Sequence, residues 1–269
     1  MEKQKVERKN SRMNQSERRQ YLIRELLTEN VQYQKIRIPG EAGDQRELLR
    51  GLMNVRRPMA CSPEFLKIQD EYLQERVRQK GIVELDEIDE VEPGIFLWRG
   101  DITRLHCEAI VNAANSGMTG CYVPNHACID NCIHTFAGIQ LRLACEKMME
   151  EQGSEEPTGQ AKITPAYNLP CKYIIHTIGP IVQGELQERH EELLESCYRA
   201  CLELAEEYKL KSIAFCCIST GVFMFPNERA GEIAIETVRK FREETKSKIK
   251  VIFNVFKEED ERIYRKFLN

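Results

Sequence analysis

The sequence contains no apolar run near the length that crosses a bilayer, although hydrophobic residues make up 42% of its 269 positions. No leader of charged and then apolar residues follows Met1. These two absences predict a cytoplasmic protein with no membrane partner. The sequence also lacks a large excess of charge of one sign, because its formal net charge is only -4. No nucleic-acid partner is therefore expected, and an anionic ligand would have to be bound by local backbone geometry.

Cysteine, by contrast, is abundant, with eleven residues. The number is odd, and several of the cysteines lie inside apolar stretches such as residues 215–218 (FCCI). A thiol in such a stretch behaves as a small buried hydrophobe, so we expect most of the cysteines to be reduced core residues. Cys121 and Cys128 lie in a different setting, in a segment that also contains proline, asparagine and histidine.

The first third of the chain has the residue spacing of helices. Residues 1–15 are predicted to be a flexible terminus, because the first dozen are charged and polar and bury too little apolar surface to offset ordering. Further on, apolar residues recur at helical spacing, and Ser62 before Pro63 is typical of a helix start. Residues 16–89 are therefore predicted to form a helical extension. It would complete the fold, cover a sheet edge, shape a substrate entrance or bind a partner.

After Gly81 the pattern changes to short apolar runs bounded by polar or turn residues. These runs predict strands that are buried on both faces, as in parallel sheets, and they are residues 95–98, 109–111, 173–175, 213–215 and 251–253. Amphipathic helical stretches lie between them, at residues 193–205 and 230–241. The alternation predicts a layered α/β fold for residues 90–269.

Ligands of such sheets bind beyond the carboxyl ends of the strands, so the loops after Val111, Ile178 and Ile218 are the candidate binding loops. Asn112 and Asn115 come directly after the first of these strands. An amide can both donate to and accept from a hydroxyl, which suits a sugar. The same two amides could instead only tie down a turn, and the spacing favours neither reading.

Another candidate loop, residues 219–223 (STGVF), lies between a buried strand and a predicted helix. Small residues with free backbone N–H groups in that position make an anion cradle, because the amides and the helix dipole both favour a phosphate. A structural turn is the alternative when this loop is taken alone. Two candidate loops at the same edge of one sheet are stronger evidence for a ligand site than either loop alone.

Four motifs resemble the macrodomain family in their order and spacing. They are residues 100–103 (GDIT), 109–115 (AIVNAAN), 174–180 (IIHTIGP) and 218–223 (ISTGVF). The resemblance covers residues 90–269. It implies a three-layer α/β/α fold with a mixed central sheet, preceded by the helical extension, and a cleft that binds ADP-ribose.

By position, the resemblance implies that Asp101 contacts the adenine amino group and that Asn112 and Asn115 lie near the distal ribose. It places residues 219–223 around the diphosphate, and Phe256 resembles the residue whose ring packs on adenine. The alternatives are a solvated acid in a turn for Asp101 and an ordinary core ring for Phe256. The implied ligand-binding residues are Asp101, Ile102, Asn112, Asn115, Ser219, Thr220, Gly221, Val222, Phe223 and Phe256.

Residues 120–131 (GCYVPNHACIDN) depart from the glycine run that hydrolytic macrodomains usually have there. Cys121, His126 and Cys128 lie within eight residues, and two thiolates with one imidazole are a good ligand set for zinc. Three protein ligands leave a position open, as in catalytic zinc sites. Incidental cysteines beside a turn histidine are the alternative. The segment resembles the zinc-containing microbial macrodomains, ADP-ribosyl hydrolases with a helical extension, which implies one Zn²⁺ per chain.

Asp130 aligns with the acid of the hydrolytic branch, so the resemblance makes Asp130 and Asn115 the candidate catalytic residues. The alternative for Asp130 is an N-cap for one helix that runs through residues 133–144. Cys132 and Cys145 fall on that same predicted helix and are expected in the core. His134 and His176, among apolar neighbours, are expected to be satisfied packing residues.

The resemblance implies a zinc-dependent hydrolase that removes mono-ADP-ribose from acidic side chains of modified proteins, among them a carrier protein modified by a sirtuin-like transferase. The chemistry needs positioning, polarisation of an oxygen and delivery of water, and zinc could polarise the ester or activate the water. Two alternatives use the same cleft: a reader that binds ADP-ribose without cleavage, and a deacetylase of O-acetyl-ADP-ribose.

Overall fold

The computed structural model describes residues 13–268, so most of the segment predicted to be flexible lies outside the described residues. Within the described residues, three helices precede the first strand: α1 (Gln15–Thr28), α2 (Ala42–Val55) and α3 (Pro63–Lys80). Asn14 caps α1, which therefore begins one residue earlier than predicted. Ser62 caps α3 by accepting a hydrogen bond from the backbone N–H of Phe65, as predicted from the sequence. The predicted helical N-terminal segment is thus present.

The rest of the chain alternates between strands and helices. In chain order the elements are β1 (Val83–Glu84), β2 (Glu90–Glu92), β3 (Ile95–Arg99), β4 (Leu105–His106), β5 (Ala109–Ala113), α4 (Ile129–Ala137), α5 (Ile139–Gln152), β6 (Ala161–Pro165), β7 (Tyr173–Thr177), α6 (Glu188–Glu207), β8 (Ser212–Phe215), α7 (Asn227–Thr245), β9 (Lys250–Val255) and α8 (Glu258–Phe267). Short 3-10 turns add Val31–Tyr33, Leu85–Glu87 and Ile102–Arg104.

A seven-stranded sheet in the order β2-β3-β9-β8-β5-β7-β6 forms the centre of the molecule, and β1 pairs with β4 separately. The five inner strands are parallel, and they are the five runs predicted from the sequence. The two outer strands, β2 and β6, are antiparallel to their neighbours. Helices flank this sheet, so the predicted α/β fold with a mixed central sheet is confirmed.

One predicted helix is in fact two. The stretch over residues 133–144 breaks at Gly138, which ends α4 with a φ of 103° and a backbone conformation that side-chain-bearing residues rarely adopt. A Cβ atom there would lie 2.5 Å from Oε1 of Gln140. Cys132 and Cys145 therefore lie on different helices, and Cys132 is only half-buried whereas Cys145 is in the core. All eleven cysteines are free thiols, and six of them are buried, in line with the prediction that most are reduced core residues.

The buried apolar residues of positions 13–268 form two hydrophobic cores. The larger one surrounds the sheet, and the smaller one lies among α1, α2 and α3, where Ile139 from α5 joins it. The smaller core consists of Leu22, Ile23, Leu26, Leu27, Leu49, Leu52, Met53, Phe65, Ile68, Tyr72, Leu73 and Ile139. Within residues 13–268, no helix combines the length and apolarity needed to cross a bilayer.

Candidate functional site

The carboxyl ends of the parallel strands meet at one edge of the sheet, which is where ligands of such folds bind. Asp101 follows β3, Asn112 lies near the end of β5, and Phe256 follows β9 directly. The loop of residues 219–223 follows β8. The topology therefore gathers the sequence-predicted residues at a single edge.

Asp130 binds both of the predicted amides. Its Oδ1 accepts a hydrogen bond from Nδ2 of Asn112 at 2.8 Å, and its Oδ2 accepts a longer one from Nδ2 of Asn115 at 3.4 Å. The N-cap alternative for Asp130 is wrong: Cys128 caps α4, its Sγ accepting from the backbone N–H of Asn131 at 3.4 Å. The carboxylate of Asp130 is thereby free to face the sheet. Burial raises its pKa to about 6, against the opposing hydrogen bond from Asn112 and the charge of Arg142.

Asn112 and Asn115 differ in what they do locally. Asn115 does tie down a turn, because its Oδ1 accepts from the backbone N–H of Gly117 at 3.1 Å and its Nδ2 donates to the carbonyl of Gly120 at 3.2 Å. Asn112 is fully buried in β5, and its Oδ1 has no hydrogen-bond partner among the described residues. An unpaired buried acceptor costs about 1–3 kcal/mol, so it points to a ligand donor at this position.

The two buried histidines were both predicted to be satisfied, and only His176 is. Nδ1 of His176 lies 3.2 Å from Nδ2 of Asn112 and accepts a hydrogen bond from it. Nε2 of His176 therefore carries the proton and donates to Oγ1 of Thr164 at 2.9 Å. Burial lowers the pKa of His176 to about 3, so the ring is neutral. The two ring nitrogens of His134 make no hydrogen bond within residues 13–268, although Nε2 lies 3.5 Å from Oδ1 of Asp130. Burial also lowers the pKa of His134 well below its ordinary value.

The loop of residues 219–223 has the backbone of an anion cradle. Ser219 has a left-handed φ of 66°, and the backbone N–H groups of Gly221, Val222 and Phe223 make no hydrogen bond inside the described chain. The carbonyl of Phe223 accepts from the backbone N–H of Val182, which joins this loop to the one after β7. Free amides before helix α7 are the donors that a phosphate needs.

The residues predicted around adenine lie in different environments. Asp101 is half-buried, and its Oδ2 pairs with Nζ of Lys80 from α3 at 2.7 Å, while its Oδ1 accepts two hydrogen bonds from Thr103. Burial raises the pKa of Asp101, but the hydrogen bonds from Lys80 and Thr103 outweigh it, so the net pKa is lowered. Ile102 is buried. Phe256 is 76% exposed, so the core-ring alternative is wrong and its face is open to a ligand.

The structure brings together the three predicted metal ligands. The donor atoms of Cys121, His126 and Cys128 all lie within 4.8 Å of one another, and Sγ of Cys121 is 3.5 Å from Nδ1 of His126. Gly120 starts this loop with a φ of 86°, and a Cβ there would lie 2.9 Å from the ring of His134. Two half-buried thiols and one imidazole at this spacing fit a zinc ion.

Sequence reasoning missed Arg142, which is buried in α5 beside this loop. Its Nη2 donates to the carbonyl of Cys121 at 3.4 Å, and its guanidinium carbon lies 4.2 Å from the ring centre of Tyr122. The available signal was an arginine between Leu141 and Leu143 in an otherwise apolar run. A buried arginine needs hydrogen-bond acceptors, so an arginine among apolar residues indicates that polar groups of another segment lie nearby.

Candidate ligand-binding residues gathered at the carboxyl edge of a mixed sheet, with a helical segment before it, define a class of α/β binding domains. Residues 111–234 match the family model described as Macro domain. The chain is 57% identical over 261 residues to a protein-ADP-ribose hydrolase of Treponema medium, covering 96% of this chain and 100% of that protein. The chain belongs to the macro domain family.

Two further similarities agree with this assignment. A protein-ADP-ribose hydrolase of Staphylococcus aureus (strain MSSA476) is 46% identical over 254 residues, which cover 94% of this chain and 95% of that protein. A crystal structure of the Trypanosoma brucei macrodomain in complex with ADP-ribose superposes with a TM-score of 0.64 at 30% identity, over 81% of this chain and 95% of that one. Both similarities extend well beyond the segment that the family model matches.

Proposed function

We propose that this protein is a zinc-dependent hydrolase that releases mono-ADP-ribose from acidic side chains of modified proteins. The names of the two hydrolase relatives support the activity, and the ADP-ribose complex of the similar macrodomain supports the ligand. On this proposal residues 90–269 form the hydrolase domain and residues 16–89 its extension. A carrier protein modified by a sirtuin-like transferase is the first substrate to test.

The observation that carries the proposal is the cluster of Cys121, His126 and Cys128, whose donor atoms lie within 4.8 Å of one another. A reader that only binds ADP-ribose has no need of such a cluster. Zinc bound there would supply a Lewis acid that polarises an ester oxygen or lowers the pKa of a water. Asp130 follows Cys128 by two residues and contacts Asn112 and Asn115, so the proposed ligands and the ribose-binding amides share one loop system.

The other residues bind and orient the substrate. The free amides of residues 221–223 suit the diphosphate, and the exposed ring of Phe256 suits the face of adenine. The unpaired Oδ1 of Asn112 suits a hydroxyl of the distal ribose, while Asp130 holds the Nδ2 groups of Asn112 and Asn115 in one orientation. Binding free energy from the adenine and diphosphate ends, remote from the ester, then positions the reacting bond.

The test is Cys128→Ala, with Cys61→Ala as the matched control, because Cys61 is another half-buried thiol outside the cluster. We expect the Cys128 variant to lose release of ADP-ribose from an aspartate- or glutamate-modified protein and to retain binding of free ADP-ribose, whereas the Cys61 variant keeps both. Zinc content and turnover are measured on the same preparation, with and without chelator. Full turnover in the Cys128 variant, or no zinc in the wild-type protein, would contradict the zinc mechanism.

The same preparation separates the alternatives that share the cleft. Calorimetric binding of ADP-ribose without turnover on any modified protein would favour a reader. Faster hydrolysis of O-acetyl-ADP-ribose than of the protein-linked ester would favour the deacetylase. Release that is confined to acidic side chains would support the specificity proposed here.

A further inference from the structure

Helix α2 of the N-terminal segment lies directly against the loop that holds Cys121, His126 and Cys128. Nη2 of Arg50 donates to the backbone carbonyl of His126 at 2.7 Å and to Oδ1 of Asn131 at 2.9 Å. The arginine thus contacts the loop at a ligand residue and also at the helix that follows.

A second side chain of α2 contacts the same loop one turn further on. Oδ1 of Asn54 accepts a hydrogen bond from the backbone N–H of Asn125 at 3.0 Å, and its Nδ2 donates to Oγ1 of Thr135 on α4 at 2.9 Å. Asn54 is only 1% exposed. Gly51 lies between the two contacts, and a Cβ there would be 3.4 Å from the side chain of Asn125, so the helix backbone approaches the loop closely.

The loop has few internal bonds of its own. It has no regular secondary structure between β5 and α4, and within the described residues its one backbone hydrogen bond between positions 121 and 128 joins the N–H of His126 to the carbonyl of Val123 at 3.3 Å. Asn125 adopts a left-handed φ of 56°, a conformation that asparagine tolerates better than most residues with a side chain. Its backbone N–H is the one bound by Asn54.

We propose that α2 is a positioning element for this loop, and that Arg50 and Asn54 hold the three ligand residues at the spacing that zinc requires. The inference rests on the zinc site of the proposed function and gives the N-terminal segment a specific role. Partners outside the ligand shell fix ligand orientation, and their loss usually costs about tenfold to a hundredfold in metal affinity. The two side chains act through the loop and touch no reacting atom.

The test compares Arg50→Met and Asn54→Ala with Arg46→Met in the full chain. Arg46 is one turn earlier on α2 and exposed, so it controls for the same change on the same helix. Zinc affinity is measured by competition with a chromophoric chelator, and amide hydrogen exchange of residues 120–128 is measured on chelator-treated protein. Arg50→Lys keeps a cation with a single amine and serves as the conservative variant.

We expect zinc affinity to fall about tenfold to a hundredfold in Arg50→Met and Asn54→Ala, less in Arg50→Lys, and not in Arg46→Met. Exchange in residues 120–128 should accelerate in the same order, while ADP-ribose binding is retained. Equal rates of amide hydrogen exchange in residues 120–128 of all four variants would overturn the proposal. If the wild-type protein binds no zinc, the metal site of the proposed function fails, and the exchange measurement alone decides whether α2 positions the loop.

Discussion

Gly179 sets the distance between the loops that follow β7 and β8. A Cβ at this position would lie 2.0 Å from Oγ of Ser219 and 2.8 Å from a side-chain carbon of Ile218. The hydroxyl of Ser219 is itself buried without a hydrogen-bond partner in the described part of the chain. Because Gly179 has no side chain, the proposed diphosphate loop of residues 219–223 can pack against the loop that follows β7.

Gly179→Ala is expected to weaken ADP-ribose binding about tenfold or more, because overpacking of about 1–3 kcal/mol would displace Ser219 and the amides after it. The measurement is calorimetric titration with free ADP-ribose. Gly40→Ala is the control, since a Cβ there meets nothing within 4 Å. Wild-type affinity in the Gly179 variant would show that the 219–223 loop does not need this close approach.

Strands β6 and β7 are joined by a buried hydrogen bond from Nε2 of His176 to Oγ1 of Thr164, and Nδ1 of the same ring can accept from Asn112 only while the ring is neutral. The pKa of His176 is about 3 in the folded protein because the ring is buried, and near 6.5 in an unfolded chain. Unfolded chains therefore take up the proton first as the pH falls. The stability that the neutral ring provides is full above pH 6.5 and declines toward pH 3.

His176→Gln should reduce this pH dependence while keeping an acceptor for Asn112. We expect the wild-type free energy of unfolding to fall more steeply than that of the variant below pH 6.5, by up to about 1.4 kcal/mol per pH unit. Urea unfolding between pH 7 and pH 4 measures it. Asp130, whose pKa is raised to about 6, acts in the opposite direction in both proteins, so it cancels in the comparison. Parallel curves would contradict the assignment.

The inner strands could be predicted from the sequence because both of their faces are buried, which leaves uninterrupted apolar runs such as that of β8. The outer strands could not. Both residues flanking Val91 in β2 are glutamates, and β6 is mostly half-buried and ends at Pro165. An edge strand has only one sheet neighbour, so its residues lack that apolar signal.

For the candidate site, the sequence indicated which loops carry the candidate residues but not the contacts between those residues. Spacing placed Cys121, His126 and Cys128 in one loop, and the structure places their donor atoms together. The sequence alone could not predict that the carboxylate of Asp130 faces Asn112. That orientation is possible because Cys128, and not Asp130, caps helix α4. Contacts from distant segments, such as that of Arg50 with residue 126, depend on packing that no local pattern encodes.

At the scale of the whole molecule, one buried guanidinium joins the two cores. Nη1 of Arg142 donates to the carbonyls of Asn54 and Arg56, both at 2.6 Å, and these groups lie at the carboxyl end of α2, where helix carbonyls lack partners. The same side chain reaches the carbonyl of Cys121. Arg142 therefore connects the helical segment, the loop that contains Cys121 and helix α5 to one another.

Arg142→Met is expected to lower the free energy of unfolding on the order of 3 kcal/mol, because at least two buried carbonyls lose their donor. Lys147→Met is the matched control, as Lys147 is exposed on the same helix. Thermal and urea unfolding measure the change. A loss no larger than that of the control would mean that water replaces the guanidinium and that the cores are joined by apolar packing alone.

The close packing of α2 on residues 121–128 also sets what can be moved between proteins. A designer who transplants this octapeptide into another scaffold would carry over the thiols and the imidazole but leave behind the arginine and the asparagine that bind its backbone. The left-handed residue at position 125 would then lose the hydrogen bond that stabilises it. The smallest portable unit is consequently discontinuous: a helix from the first third of the chain and a loop some seventy residues later.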